Sequence, residues 1–299
     1  MSDLGRILTR LEVALGPRQG EPVPLDGGIT NRNFRVPLGG REYVVRLPGK
    51  DTGLLGIDRE AERLAAAQAA ELGIGPALAY ADEECTVTAY LEAEPIDQQR
   101  LRRDPGPAAR ALRAFHDSGL KLSNTFWIPS LLGEYEDLIL ARQRSIPAPL
   151  RRARDLVDRI AEVLPLTEPV PCHDDLLPGN LLSCAGAVML VDWEYAGMGH
   201  RLFDLANLAV NNGFGDEDEA RLLEAYSGAP APQGRRAALK LMRIVSDARE
   251  AAWGVVQGLV SELDFDFETY ADDHFERLER AAAGAGGAQF EEWLRAAAA

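Results

Sequence analysis

The feature that most constrains this chain is the stretch Pro171-Cys-His-Asp-Asp-Leu-Leu-Pro-Gly-Asn180, followed closely by Val188-Met-Leu-Val-Asp-Trp-Glu-Tyr195. His173, Asp175 and Asn180 fall on it at the spacing H-x-D-x-x-x-x-N, and Asp192 ends an apolar run that reads as a short strand. Two carboxylates and an amide are thereby tied to one loop and one strand end. The rest of the chain must fold so as to hold them.

That layout matches a kinase catalytic loop with a metal-binding aspartate after it. Phosphoryl transfer asks the protein for an aligned acceptor, divalent metal on the phosphates and cations over the developing charge. Asp175 is the candidate to orient an acceptor hydroxyl and take its proton. Asn180 offers a neutral oxygen ligand and Asp192 an anionic one, and both suit Mg²⁺, a hard cation. His173 is expected to brace the loop by hydrogen bonding.

Composition sets the frame. With 299 residues, 46% hydrophobic and 26% charged, the chain reads as a globular protein with one large domain or two lobes. A formal charge of −15 argues against a nucleic-acid partner, which calls for a basic patch. Cys85, Cys172 and Cys184 form no C-x-x-C pair, so neither a disulfide framework nor a zinc site is expected. Leu4, Ile7, Leu8, Leu11 and Leu15 recur at helical spacing with charges among them, unlike the uninterrupted apolar core of a signal peptide. No apolar run approaches the roughly 20 residues of a membrane helix. A cytoplasmic protein with no direct membrane insertion is expected.

Along the chain, Phe34 to Leu38 and Glu42 to Leu47 read as two strands joined by a Gly39-Gly40 turn. Asp58 is placed to cap a helix running to Leu72, with Gly73 closing it. Pro76 to Tyr80 and Thr86 to Leu91 are further strands. Helices are expected at 107–115, 133–142, 149–163, 203–210, 216–226, 235–258 and 267–282, with Gly284 to Gly287 breaking the chain before a terminal helix.

The amino-terminal part carries the matching nucleotide-side groups. Arg46 ends the second hairpin strand, where a guanidinium can grip phosphate bidentately, and Glu60 on the following helix is its expected ion-pair partner. The loop Gly27-Gly-Ile-Thr-Asn31 would present backbone N–H groups and the side chains of Thr30 and Asn31 to phosphate oxygens. Ala89, Tyr90 and Leu91 would offer backbone hydrogen bonds to an adenine ring.

Four segments together, Gly-Gly-Ile-Thr-Asn (27–31), Val-Val-Arg-Leu-Pro-Gly (44–49), His-Asp-Asp-Leu-Leu-Pro-Gly-Asn (173–180) and Asp-Trp-Glu-Tyr-Ala-Gly-Met-Gly (192–199), resemble the choline/ethanolamine kinase family. That family lies within the aminoglycoside phosphotransferase-like group. The likeness extends to Phe203-Asp-Leu-Ala-Asn207 and Trp253-Gly254. It implies an α+β, two-lobed, protein-kinase-like fold. A small antiparallel-sheet lobe (1–91) would bind nucleotide, and a larger, mostly helical lobe (92–299) would carry the catalytic loop, metal and acceptor. It further implies dependence on ATP and Mg²⁺, with Asp175 as base and Asn180 and Asp192 as metal ligands. The acceptor would be a small amino alcohol such as choline or ethanolamine.

Aromatic faces hold a quaternary ammonium by cation–π attraction, helped by carboxylates. Trp253 aligns with one such aromatic of the family, whereas Val256 stands where many choline kinases place a second tryptophan and Asn211 near where they place a glutamate. Glu194 is a further acceptor-binding candidate. Phe265, Phe267 and Tyr270 are expected in the core in preference to the acceptor cleft. A sibling kinase acting on an aminoglycoside, a sugar or thiamine shares every nucleotide-side residue, and a nucleotide-binding pseudokinase is the rival of another class. A homodimer is left open.

Overall fold

The computed structural model describes residues 3–25, 31–49, 56–261 and 263–299. In chain order the elements begin with α1 (Asp3–Leu15), β1 (Val23–Leu25), β2 (Arg32–Leu38), β3 (Arg41–Leu47), α2 (Arg59–Glu71), β4 (Leu78–Ala81) and β5 (Thr86–Ala89). Next come β6 (Glu94–Pro95), α3 (Gln98–Arg103), α4 (Gly106–His116), α5 (Ile128–Ala141), α6 (Ala148–Val163), β7 (Val170–Cys172), β8 (Leu181–Cys184) and β9 (Ala187–Leu190). The last are β10 (Gly197–Gly199), α7 (Arg201–Asn211), α8 (Asp216–Ser227), α9 (Gln233–Val260), α10 (Phe267–Ala283) and α11 (Ala288–Ala297). The expected helices and the hairpin are present, while the short helix α3 and the short strands β6, β7, β8 and β10 are additions to the sequence reading.

Two compact units emerge: Met1–Ile96 with Gly179–Ala196, and Asp97–Pro178 with Gly197–Ala299. The first unit is built on an antiparallel five-stranded sheet in the order β1-β2-β3-β5-β4. Gly39 and Gly40, at φ +56° and +79°, supply the two left-handed residues that a two-residue hairpin turn requires. Along β3 the side chains alternate, so Tyr43, Val45 and Leu47 are buried on one face while Val44 and Arg46 point to the other. The first face packs with Ile7, Leu8 and Leu11 of α1 and with Val36, Leu38 and Val87 into one core. Asp58 starts α2 by accepting the N–H groups of Glu60 and Ala61 at 2.9 and 3.1 Å.

The same unit holds a second sheet in the order β6-β8-β9. Its β8–β9 hairpin pairs Leu181 with Leu190, and the Leu190 N–H donates to the Ile74 carbonyl at 2.6 Å. The strand expected to end at Asp192 therefore ends two residues earlier, at Leu190. Asp192 itself sits at φ +66°, turned out of the ladder.

The second unit is helical around α9, 28 residues long, which packs against α5, α6, α7, α8, α10 and α11. Enclosure on so many sides accounts for its alanine-rich sequence, because small side chains let the neighbouring helices approach. The two-stranded ladder of β7 and β10, with Cys172 opposite Gly197, carries the chain into the His173 loop. Among the described residues, no helix is long and apolar enough to cross a membrane.

Candidate active site

In the second unit, the loop after β7 is held from beneath by α7. The Asp204 carboxylate accepts the backbone N–H groups of His173 and Asp174, both at 2.8 Å. Asn207, one turn further along the same helix face, accepts the Leu176 N–H at 2.5 Å. His173 is fully buried, and its Nδ1 accepts the Asp175 N–H at 3.3 Å. Four consecutive backbone groups are thus tied down, leaving the Asp175 side chain as the one that α9 addresses. Arg249 Nη1 lies 3.6 Å from Asp175 Oδ1.

Asp204 is itself anchored. His116 Nε2 lies 2.9 Å from it, and His116 Nδ1 lies 2.7 Å from the Tyr226 hydroxyl. A carboxylate takes a proton best from Nε2–H, so Nδ1 accepts from tyrosine. Burial pushes the Asp204 carboxyl up, but hydrogen bonds from His116 and from the loop N–H groups outweigh it, and the group ends below its ordinary value. His116, Cys172 and Asp204 offer three ligand-type atoms within 4.8 Å of one another. Both His116 nitrogens and both Asp204 oxygens are already bonded within the protein, so the cluster acts as a brace.

Asp174 is fully buried with φ +66°. Burial, then the Asp204 charge, raises its carboxyl well above the usual range. Around Arg249, the Glu250 carboxylate accepts from Arg249 Nη1 and from the Tyr270 hydroxyl, both at 2.8 Å, and from Asn207 Nδ2 at 3.4 Å. Burial alone would raise Glu250; the neighbouring Arg249 charge does most to bring it below its ordinary value.

Trp253 stands one turn beyond Arg249 on α9, 5% exposed, with its ring edge-on to Phe267 and Tyr270 at centroid distances of 5.8 and 5.6 Å. Phe267 is buried as expected, whereas Phe265, expected in the core, is 39% exposed. Val256 is fully enclosed. Asn211, the last residue of α7, is half-buried.

In the first unit, the Asn180 carbonyl accepts the Val191 N–H at 3.1 Å, which fixes Asn180 and Asp192 at the same end of the β8–β9 hairpin. Arg46 reaches Asp192 with one nitrogen and Glu62 with the other. Its expected partner was Glu60, which instead pairs with Arg63 and has a side chain 58% exposed. Helix phase explains the correction: residues two apart on a helix diverge by about 200°, and Glu62, only 2% exposed, is the acid on the buried alanine face of α2. Burial opposes the Arg46 charge, yet Asp192, Glu62 and Glu194 outweigh it and raise its pKa. Arg59 also donates to Glu62, at 2.6 Å.

Glu194 lies in this same unit, 3% exposed, accepting from Asn31 Nδ2 at 2.8 Å with Arg59 3.8 Å away. Burial and the Asp192 charge raise its carboxyl. The Asn31 Oδ1 accepts the Gly49 N–H at 3.4 Å, so Asn31 pins the start of β2 to the end of β3. Thr30 lies outside the described residues. The Ala89 N–H donates to the Ala77 carbonyl at 2.8 Å and that of Tyr90 to Glu42 at 3.0 Å.

Asn180 and Asp192 form a fitting donor set for Mg²⁺: two oxygen ligands, one anionic, at one hairpin end with Asp192 partly open to solvent. Sequence reasoning missed Glu62, Arg249, Glu250 and the roles of Asp204 and Asn207. The available signal was the Asp247, Arg249, Glu250 cluster inside an otherwise apolar helical run.

An antiparallel sheet with a helix bearing the arginine's acid partner, a braced H-x-D loop and a helical second unit define a protein-kinase-like phosphotransferase fold. The chain belongs to the phosphotransferase enzyme family, whose sequence profile matches residues 21–241. Protein LicA of Haemophilus influenzae is 28% identical over 212 residues, covering 67% of this chain and 61% of LicA, so the chain matches under two thirds of that relative's length. The crystal structure of a choline/ethanolamine kinase family protein from Mesorhizobium loti superposes with a TM-score of 0.81 at 26% identity, over 98% of this chain and 99% of that one. A LicA structure in complex with AMP gives a TM-score of 0.75 at 26% identity, over 96% of this chain and all of that one.

Proposed function

We propose that the protein transfers the γ-phosphoryl group of ATP to the hydroxyl of a small amino alcohol, choline or ethanolamine. The observation that carries the reading is the Asp175 loop: four backbone groups fixed by His173, Asp204 and Asn207, with Arg249 beside the carboxylate. Such anchoring holds a general base still while the acceptor arrives, the condition for a proximity effect. The AMP complex of LicA and the name of the Mesorhizobium relative support the nucleotide and acceptor assignments.

Asp175 accepts the hydroxyl proton as the acceptor oxygen bonds to the γ-phosphorus, and the bond to the β,γ-bridging oxygen breaks to release ADP. Arg46, held by Glu62, grips the phosphates. Asn180 and Asp192 would hold Mg²⁺, which when bound neutralises charge on the phosphate oxygens. Asn31, bonded to the Gly49 N–H and to Glu194, ties the start of β2 to the end of β3. With the Ala89 and Tyr90 N–H groups committed to Ala77 and Glu42, the adenine contact falls to the Ala89 carbonyl and the Leu91 backbone. Trp253 presents an aromatic surface to the acceptor's cation, and Glu194 acts from the metal side, through Asn31, in place of direct acceptor contact.

The test is ADP release with Mg²⁺ against choline, ethanolamine, thiamine, aminoglycosides and simple sugars. Turnover on choline or ethanolamine is expected, lost by Asp175→Asn and by Asp192→Ala with folding unchanged. Turnover on another member of the panel alone would reassign the acceptor, and normal turnover by Asp175→Asn would remove the mechanism.

A further inference from the structure

We propose that Arg249 is a positioning residue for the base, and that Glu250 and Tyr270 hold it in place from the acceptor side. The inference rests on the reading of Asp175 as the base. Arg249 is among the largest fully buried side chains of the protein. An arginine with both neighbours in sequence enclosed needs a charge partner, and two are at hand: Glu250 Oε2 at 2.8 Å and Asp175 Oδ1 at 3.6 Å, all reached from Nη1. Glu250 fixes the guanidinium because it is itself held from two sides, by the Tyr270 hydroxyl at 2.8 Å and by Asn207 Nδ2 at 3.4 Å.

Asn207 closes the circuit. The same side chain that donates to Glu250 accepts the Leu176 N–H at 2.5 Å, next to Asp175. Glu250 therefore acts on the base by two routes, through Arg249 to the carboxylate and through Asn207 to the backbone. Tyr270 also packs edge-on against Trp253, with centroids 5.6 Å apart, and stacks obliquely on His274 at 4.6 Å. An acceptor seated against Trp253 would press on Tyr270, and the Tyr270–Glu250–Arg249 relay would pass that contact to Asp175. The consequence is specific: loss of the relay should lower kcat and spare nucleotide binding, since none of these residues lies among the Arg46 and Asp192 groups.

The full-length chain carrying Arg249→Met with Glu250→Gln removes both members of the Arg249–Glu250 pair, so that the buried glutamate is not left charged without its arginine. With Mg-ATP and choline or ethanolamine, kcat is expected to fall roughly 10- to 100-fold, the scale of a base displaced by about 1 Å. KM for ATP should stay within about two-fold. Arg249→Lys, which keeps the charge on a shorter reach, should recover part of kcat, and it decides alone if the double variant does not fold: a partial loss of kcat at unchanged KM supports the relay. A wild-type kcat in either folded variant, or a loss confined to the KM for ATP, overturns it. Amide exchange at Asp175 and Leu176 gives a readout independent of the acceptor. Faster exchange there, with the remaining helices unchanged, is expected even if wild type accepts neither amino alcohol, an outcome that would sink the acceptor reading alone. Unchanged exchange in the variants would sink the relay.

Discussion

Replacing Asp174 by asparagine leaves the side chain's shape intact and removes only the ability to carry charge. Asp174 is fully buried at φ +66°, a region that asparagine tolerates as well as aspartate does. Its carboxyl lies against Gly199 and Cys172: a Cβ built on Gly199 would stand 3.2 Å from Asp174 Oδ1 and 3.3 Å from Cys172 Sγ. Burial first, and the Asp204 charge second, push the carboxyl well above its ordinary value. A raised carboxyl means that the folded chain holds a proton the unfolded chain has released. Stability from that proton is fully present below the unfolded value of about 3.9 and is lost as pH rises through the folded one, by up to about 1.4 kcal/mol per pH unit. Asparagine lacks this slope. Asp174→Asn should therefore gain on wild type by about 2.7 kcal/mol for every two pH units within the window. Urea unfolding at pH 5, 6, 7 and 8, followed by the fluorescence of the four tryptophans, measures the gap directly. Turnover at pH 7 should stay within a few-fold, because Asp174 takes no part in the transfer. A gap that is the same at all four pH values, or a variant weaker than wild type at pH 8, would refute the reasoning.

Glu62→Gln should raise the KM for ATP roughly ten-fold, because a charge-assisted bond to Arg46 is worth about 1.5–3 kcal/mol, while Glu60→Gln should change it less than two-fold, as expected of an exposed pair. Steady-state kinetics on the two variants separates them. Asp204→Ala strips the acceptor from two backbone N–H groups and from His116, at about 1–3 kcal/mol for each buried group left unsatisfied; denaturant titration should show a loss of roughly 3–5 kcal/mol, and a loss under 1 kcal/mol would dismiss the brace. Gly39→Ala would set a Cβ 2.0 Å from the Leu15 carbonyl oxygen at φ +56°, and thermal melting should show it several degrees below Gly40→Ala, whose Cβ meets open space.

The helices were legible because each buries one stripe of a 3.6-residue pattern, and the β2–β3 hairpin because two glycines mark a turn that requires positive φ at both positions. Asp175, Asn180 and Asp192 could be singled out because the groups phosphoryl transfer asks for fall at a fixed spacing within one short segment. What stayed hidden depends on facing. Glu62 and Glu60 are equally acidic and differ only in which side of α2 meets Arg46 on β3. Arg249 and Glu250 sit in an alanine-rich helix, where a charged pair reads as a solvated face until the surrounding helices are placed. Asp204 and Asn207 serve backbone groups some 30 residues earlier, and backbone N–H groups leave no mark in a sequence.

The contribution of residues 179–196 to the amino-terminal unit has a consequence for biosynthesis. That unit is completed only by β8 and β9, with residues 97–178 intervening in the chain. At about 5–20 residues per second, the interval between the emergence of β6 and that of its partner strand is roughly 4 to 17 s. For that time the nascent chain carries a finished five-stranded sheet beside an unpaired strand, and Arg46 with Glu62 but without Asp192. Asn180 and Asp192, the proposed metal ligands, thus reach this unit only with the late β8–β9 hairpin, and a ribosome-bound chain stalled before residue 179 holds Arg46 and Glu62 without them.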